Sequence, residues 1–176
     1  KKGWKTYWLS PGEGGFPQNI DWRKSRNIQN IEVLWPAPNE FEILGFKTLG
    51  YFDEVVFPLI TTIQNVEEET SVVLDVNYLT CKDICIPGNA HLELLIPSGL
   101  GQITEHSFII EKSLSLIPID NLEISGLENV SVKASADSDN VSIIVAASSP
   151  KAFVDPKFYL NTKFGLPVIT PKINYS

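Results

Sequence analysis

The fold is decided by residues 70–96, which read TSVVLDVNYLT (70–80), CKDICIPGNA (81–90) and HLELLI (91–96). In the first part apolar and polar side chains alternate, so that Val72, Leu74 and Val76 share one face of an extended chain. This alternation predicts a strand, and residues 91–96 predict a second strand that returns beside it. The segment therefore predicts a β-hairpin that holds both cysteines of the chain, Cys81 at a strand end and Cys85 in the connection.

Short apolar segments separated by Gly, Pro, Asn and Asp recur along the first hundred residues, a spacing typical of a β-sandwich. The predicted strands are 3–9, 28–35, 49–52, 55–63, 70–80 and 91–96. Pro58 interrupts the fourth of them and predicts an edge or a bulge there. Composition agrees, because 19 Ile and 13 Val against 7 Ala favour strands over helices.

The pattern changes after Pro97. Residues 104–116 carry apolar side chains at helical spacing, with Thr104 as the predicted N-cap. Strands at 130–134 and 141–147 flank the turn sequence DSDN of residues 137–140. We therefore predict an all-β protein with a β-sandwich over 1–100, a short connecting helix over 101–118, and a second, smaller or truncated β unit over 119–176.

Charge and hydropathy exclude two classes of protein. The net charge is −7, with 14 Lys and Arg against 21 Asp and Glu, and the longest basic run is Lys1-Lys2, so we predict no nucleic-acid partner. The longest apolar stretch, 143–147, is far shorter than the roughly 20 residues of a spanning helix, so we predict no membrane span. Since the chain starts at Lys and contains no Met, we expect a processed or excised piece.

The two cysteines enclose a very short loop, with three residues between Cys81 and Cys85. Loop-closure entropy is smallest for such a ring, so a disulfide here would stabilise the fold little, which favours a functional interpretation. The spacing alone leaves three alternatives open: a redox-active pair, a permanent disulfide, and a metal site in which His91 would be the third ligand.

The sequence YLTCKDICIP (78–87) resembles the cysteine strand and loop of the N-terminal domain of DsbD-type thiol:disulfide interchange reductases. Three further stretches resemble the same domain in the same order. They are GWKTYW (3–8), similar to its aromatic first strand, WPAPNEFE (35–42) followed by Gly45, similar to the segment leading into its cap loop, and YFDEVVFPL (51–59), similar to the strand after the cap. The resemblance covers residues 1–97 and implies an immunoglobulin-like sandwich.

The resemblance also implies roles for individual residues. Tyr7 falls on a position where the family's tyrosines line the redox site. An acidic and aromatic cap would shield the disulfide through Glu42 and either Phe41 or Phe46. In the family the later cysteine attacks first, which makes Cys85 the nucleophile and Cys81 the resolving thiol.

Two charges lie between the cysteines, and they act in opposite directions. Lys82 would lower the pKa of a neighbouring thiol and Asp83 would raise it. The cysteines are closer together than in the best-known members of the family, so loop geometry and reduction potential do not transfer.

The function implied by the resemblance is periplasmic thiol–disulfide exchange of the protein-disulfide reductase type, an electron-transfer role connected with cytochrome c maturation. The partners would be a membrane-embedded thiol carrier domain as donor and periplasmic thioredoxin-like proteins as acceptors, with no cofactor and no metal. Two alternatives remain open at this stage: a non-catalytic binding or assembly module with a structural disulfide, and a copper-handling periplasmic protein.

Overall fold

The structure is a computed structural model, which describes residues 1–138, 141–161, 172 and 174. The described residues form two compact units. One consists of Lys1–Ile117 with the described residues from Tyr159 onward, and the other of Pro118–Phe158. Of the predicted second β unit, the turn residues Asp139 and Asn140 and residues 162–171, 173, 175 and 176 lie outside the described residues.

Eight strands and one helix make up the first unit within the described ranges. In chain order they are β1 (Lys5–Gly12), β2 (Asn19–Asp21), β3 (Ile28–Val33), β4 (Asn39–Ile43), β5 (Phe46–Phe52), β6 (Leu59–Ile63), β7 (Thr70–Cys81), β8 (Cys85–Ile96) and α1 (Ser107–Leu114). The six predicted strands are all present, whereas β2 and β4 were not predicted. Both are short: β2 has three residues, and the alternation in β4 covers only the four residues Glu40-Phe41-Glu42-Ile43.

The long strand β7 organises the larger sheet. It pairs with β8 along its whole length, antiparallel, from Thr70 opposite Ile96 to Cys81 opposite Cys85. Its other edge pairs first with β2 and then, at Thr80 and Cys81, with β1. The sheet continues from β1 to β5 and β4, in the order β2-β7-β1-β5-β4.

A second, two-stranded sheet of β3 and β6 packs across β7. Ile28 and Ile31 of β3 are buried together with Val72 and Leu74 of β7, which belong to the apolar face that the alternating pattern predicted. Each fully buried aliphatic side chain of this kind contributes about 1.5–3 kcal/mol. Two sheets closing over one apolar layer confirm the predicted all-β sandwich.

The connection between the cysteine strands is shorter than predicted. The prediction that residues 81–89 form a loop was wrong, because β8 already begins at Cys85. Gly88 is tolerated since the ring of Tyr78, directly opposite, covers it; a Cβ on Gly88 would lie 2.5 Å from Cζ of that ring. Pro87 is tolerated because β8 pairs only with β7 among the described strands, so a missing N–H on its outer edge breaks no ladder.

Other element boundaries also differ from the prediction. β6 starts at Leu59, directly after Pro58, so the predicted strand 55–63 was too long. α1 starts at Ser107 behind His106, and Thr104 is not its N-cap, so the predicted helix 104–116 was also too long. Neither helix in the part of the chain that the structure describes has the length and apolar character to cross a membrane.

The second unit contains a short helix, α2 (Leu122–Ser125), and an antiparallel hairpin of β9 (Asn129–Ala136) and β10 (Val141–Ser148). The helix is capped by the Asn121 side chain, which accepts a hydrogen bond from the Glu123 N–H at 2.8 Å. The two predicted strands of this region are present, each slightly longer than predicted, and no described residue of the hairpin is buried.

Replacement of Gly50 by Ala tests how closely β1 and β5 approach. A Cβ on Gly50 would lie 2.9 Å from the Tyr7 Cα and closer still to the Thr6 carbonyl oxygen, both of them backbone atoms. We expect Gly50→Ala to lower the free energy of unfolding by about 3 kcal/mol in urea titrations. The control Gly101→Ala meets no atom within 4 Å and should stay within about 0.5 kcal/mol of the parent. Equal effects of the two substitutions would contradict the packing described here.

Candidate functional site

The site is built around the closed end of the β7–β8 hairpin. Cys81 ends β7 and Cys85 begins β8, directly opposite one another with their Cα atoms 4.1 Å apart, and they form a disulfide. The three-residue turn between them is tightened by a hydrogen bond from the Lys82 N–H to the Ile84 carbonyl, 3.0 Å long. The hairpin register therefore imposes the pairing of the cysteines.

The two halves of the disulfide differ in exposure. Cys81 is 0% exposed and lies in an apolar cluster with Tyr7 and Ile43, against which Phe41 and Leu79 pack. Cys85 is exposed to solvent. Cys85 is therefore the half of the disulfide that solvent reaches, and Cys81 is the covered half.

Tyr7 provides the polar contact of the buried sulfur. Its hydroxyl lies 3.0 Å from Cys81 Sγ and 3.9 Å from Cys85 Sγ, and because a disulfide sulfur carries no hydrogen, the hydroxyl is the donor. Burial raises the pKa of Tyr7 above its ordinary value, so the phenol stays protonated at neutral pH. The group is therefore a neutral hydrogen-bond donor aimed at the sulfur that would carry charge after the disulfide opens.

The ring of Tyr7 is held from two sides. The Phe41 ring lies 6.0 Å away, tilted by 42°. On another side the backbone of Gly15, with φ +95°, approaches so closely that any Cβ there would overlap the ring. The loop that carries Gly15 is fixed to β5 by two hydrogen bonds. The Glu13 N–H donates to the Lys47 carbonyl at 3.1 Å, and the Lys47 N–H donates to the Glu13 carboxylate oxygen Oε2 at 2.8 Å. No strand or motif was predicted for residues 10–15, and the contact of Gly15 with Tyr7 was not foreseen.

The predicted cap residues separate in the structure. Phe41 packs against the cysteine cluster, and its carbonyl accepts a hydrogen bond of 3.0 Å from the buried Thr48 hydroxyl. Phe46 is 51% exposed and lies against Gly14. Glu42 is exposed and, one residue from Phe41 along β4, points to the opposite face of that strand. Of these three predicted residues, Phe41 is the one that the structure brings to the disulfide.

Two further side chains extend the aromatic wall beyond Phe41. The ring of Phe52 meets that of Phe41 edge to face, with 5.4 Å between centroids. The ammonium of Lys5 lies over both rings, 5.5 Å from the Phe41 centroid and 5.8 Å from that of Phe52. Neither residue was predicted, although Lys5 precedes Tyr7 by two positions and so shares its face of β1.

The predicted near-site charges Lys82 and Asp83 are both exposed in the turn. The side chain of Lys82 extends along the backbone of Gly3, where a Cβ would lie 3.5 Å from Lys82 Cε.

His91 does not join the cysteines. It lies opposite Asp75, with Nδ1 2.6 Å from Asp75 Oδ1 and Nε2 3.0 Å from Glu93 Oε1. These two contacts, Asp75 first, raise the pKa of His91. His91 lies six positions beyond Cys85 along β8, roughly 20 Å away. The three-ligand set of the metal hypothesis is thus not assembled, and no other cluster of three His, Cys, Asp or Glu in the described ranges could hold a metal ion.

Comparison with known proteins assigns the family. Residues 1–97, more than half of the chain, match the family described as thiol:disulfide interchange protein DsbD, N-terminal. The chain belongs to this family. The crystal structure of the N-terminal periplasmic domain of ScsB from Proteus mirabilis is similar, with a TM-score of 0.59 and 22% identity, covering 85% of this chain and 71% of that chain. No curated protein matches the chain.

Family and structure agree on the fold and on the general chemistry. The sandwich is immunoglobulin-like, the fold of the DsbD N-terminal domain. A cysteine pair that forms a disulfide within a DsbD-type domain supports a thiol–disulfide exchange module.

Replacement of Tyr7 by Phe tests the hydroxyl contact while keeping the ring. A hydrogen bond to a charged group is worth about 1.5–3 kcal/mol, so the Cys81 thiolate should leave about tenfold more slowly when dithiothreitol reduces the variant at pH 7. Tyr78→Phe is the matched control, because that ring covers Gly88 in the same hairpin and should leave the rate unchanged. An unaltered rate in Tyr7→Phe would show that the hydroxyl plays no part in opening the disulfide.

Proposed function

We propose that this domain is a thiol–disulfide exchange module of the protein-disulfide reductase type, in which the Cys81–Cys85 pair carries two electrons from one thiol protein to another. The proposal rests on one observation: the disulfide joins a fully buried sulfur, in contact with a neutral donor, to an exposed one. A permanent disulfide has no use for this difference, whereas exchange needs one sulfur to be attacked and the other to leave.

Loading of the module begins at Cys85. A donor thiolate attacks Cys85 Sγ, the Cys81–Cys85 bond breaks, and a mixed disulfide forms between the donor and Cys85. The electron pair of the broken bond stays on Cys81, where the Tyr7 hydroxyl, 3.0 Å away, stabilises the thiolate. The donor's second thiol then attacks its own bound sulfur, so that the donor leaves as a disulfide and the module holds two thiols.

Unloading runs in the opposite direction. The thiolate of Cys85 attacks the disulfide of an acceptor and forms a mixed disulfide, with one acceptor sulfur released as a thiol. Cys81 then attacks Cys85 Sγ, restores the internal disulfide and releases the acceptor in its dithiol form. The hairpin keeps the two cysteines opposite each other, so the resolving step is intramolecular and fast.

The surface around Cys85 suits contact with another protein. Ile84 and Ile86, on either side of it, are 63% and 43% exposed, which leaves apolar surface next to the reactive sulfur. Membership in the DsbD family and the similarity to a periplasmic domain support a periplasmic location. In this proposal the donor is a membrane-embedded thiol carrier domain, and the acceptors are periplasmic thioredoxin-like proteins, including those that serve cytochrome c maturation.

Single-cysteine variants test the order of attack. With a thioredoxin that lacks its own resolving cysteine and is activated as a mixed disulfide with thionitrobenzoate, Cys81→Ser should form a stable covalent complex through Cys85. Cys85→Ser should react at least about tenfold more slowly, because Cys81 is covered. Non-reducing electrophoresis and the absorbance of released thionitrobenzoate measure both.

Two results would contradict the exchange function. One is complex formation at the same rate in Cys81→Ser and Cys85→Ser. The other is a reduction potential of the parent disulfide below about −300 mV, the range of structural disulfides in exported proteins.

Phe41 is proposed as the cap of Cys81, and Phe46 provides a matched control on the same hairpin. In the reduced Cys85→Ser background Cys81 is the only thiol, and its alkylation by iodoacetamide reports how well it is covered. We expect Phe41→Ala to accelerate alkylation severalfold, because it removes a ring that packs against the cysteine cluster. Phe46→Ala should leave the alkylation rate unchanged. A larger acceleration by Phe46→Ala than by Phe41→Ala would show that Phe46, and not Phe41, covers Cys81.

A further inference from the structure

Lys5 lies in the same row of the sheet as the disulfide. On one side of β1 it is directly opposite Cys81, and on the other side it is directly opposite Phe52. Side chains of directly opposite residues project from the same face of a sheet, with Cβ atoms about 4.5–5.5 Å apart. Cys85, Cys81, Lys5 and Phe52 therefore follow one another across four neighbouring strands on one face.

The Lys5 ammonium has an aromatic environment in the disulfide form. It lies over the rings of Phe41 and Phe52, and the side chain is half-buried. Among the residues that the structure describes, no carboxylate comes within salt-bridge distance of it. A cation held on aromatic faces without an anionic partner remains available to an anion that forms nearby.

The charge of Cys81, the residue opposite Lys5, changes when the disulfide opens. Cys81 is neutral in the disulfide and leaves as a thiolate, fully buried, where water cannot solvate the charge. We propose that Lys5 supplies the positive charge that stabilises the Cys81 thiolate, its flexible side chain moving from the Phe41 and Phe52 rings toward the sulfur opposite. This inference rests on the proposed exchange function and adds to it an electrostatic positioning residue.

No other charge is placed in the same way. The nearby titratable groups are Tyr7 on β1, Lys82 and Asp83 in the turn, Glu40 and Glu42 on β4, Lys47 and Tyr51 on β5, and Asp53 after β5. Lys47 and Tyr51 each precede a residue of the Phe52 face of β5, Thr48 and Phe52, and so lie on the opposite face. Tyr7 is neutral, and Lys82 and Asp83 are exposed. Glu40 and Glu42 flank Phe41 and point to the opposite face of β4, and the Asp53 carboxylate accepts the Gly3 N–H.

The titration of Cys81 tests the inference. In the reduced Cys85→Ser protein Cys81 is the only thiol, so thiolate absorbance at 240 nm against pH gives its titration midpoint. We expect Lys5→Gln to raise this midpoint by about one pH unit, because an opposite charge within a few ångströms favours the thiolate by at least that amount. Lys5→Arg should keep the midpoint of the parent.

Lys82→Gln is the matched control, since it removes the same charge one residue from Cys81 but from an exposed side chain that extends along Gly3. Lys5→Met, which keeps most of the aliphatic stem, serves as the second variant, and urea unfolding of the oxidised proteins shows whether each variant is folded. An unmoved midpoint in folded Lys5→Gln and Lys5→Met, or an equal shift in Lys82→Gln, overturns the assignment.

The trapping experiment with Cys81→Ser keeps the two proposals apart. That variant retains Lys5 and reports only whether Cys85 exchanges. Covalent complexes together with an unmoved Cys81 midpoint would reject the role of Lys5 and leave the exchange function standing. Failure to form complexes would reject the exchange function whatever the titration shows.

Discussion

The antiparallel register between β7 and β8 is the constraint on which the rest of the site depends. Twelve successive pairs, from Thr70 with Ile96 to Cys81 with Cys85, fix which residues face the core and which cysteine atoms meet. Because side chains alternate along a strand, a slip of one residue would send Val72 and Leu74 to solvent and separate the cysteines. The packing of the sandwich core therefore also maintains the geometry of the disulfide, some distance away along the same strands.

The unequal exposure of the two sulfurs follows from the position of each strand in the sheet. β7 has neighbours on both edges, with β1 adjoining its last two residues, so Cys81 is covered from the β1 side by Tyr7. β8 pairs only with β7 among the described strands, so Cys85 begins an edge strand. A disulfide across the end of an inner strand and the start of an edge strand has one covered and one accessible cysteine, and the proposed order of exchange rests on this difference.

The sequence was informative where the pattern was long and local. Alternation over residues 70–80 predicted the central strand, and the resemblance to the DsbD family pointed to the cysteines and to Tyr7. The start of β8 was predicted wrongly because Pro87 and Gly88, residues that usually end strands, lie inside it. The Tyr78 ring that covers Gly88 belongs to the neighbouring strand, and local sequence does not reveal this contact. The choice between Phe41 and Phe46 depended on the geometry of the β4–β5 hairpin. Its turn has Leu44 and Gly45 both at positive φ, and a leucine in a sequence does not predict this conformation.

The groups around Cys81 suit the reduced form, in which this cysteine is a thiolate, better than the neutral disulfide. A neutral disulfide gains little from a phenol donor and a nearby cation, yet Tyr7 lies at hydrogen-bonding distance from Cys81, and Lys5 is the residue opposite it. The chain as a whole carries a net charge of −7, and burial excludes water, so both its surroundings and its field disfavour a thiolate at this position. In the proposed exchange Cys81 bears this charge while a partner is bound to Cys85, and a hydrogen-bond donor and a positive charge beside Cys81 would oppose both effects.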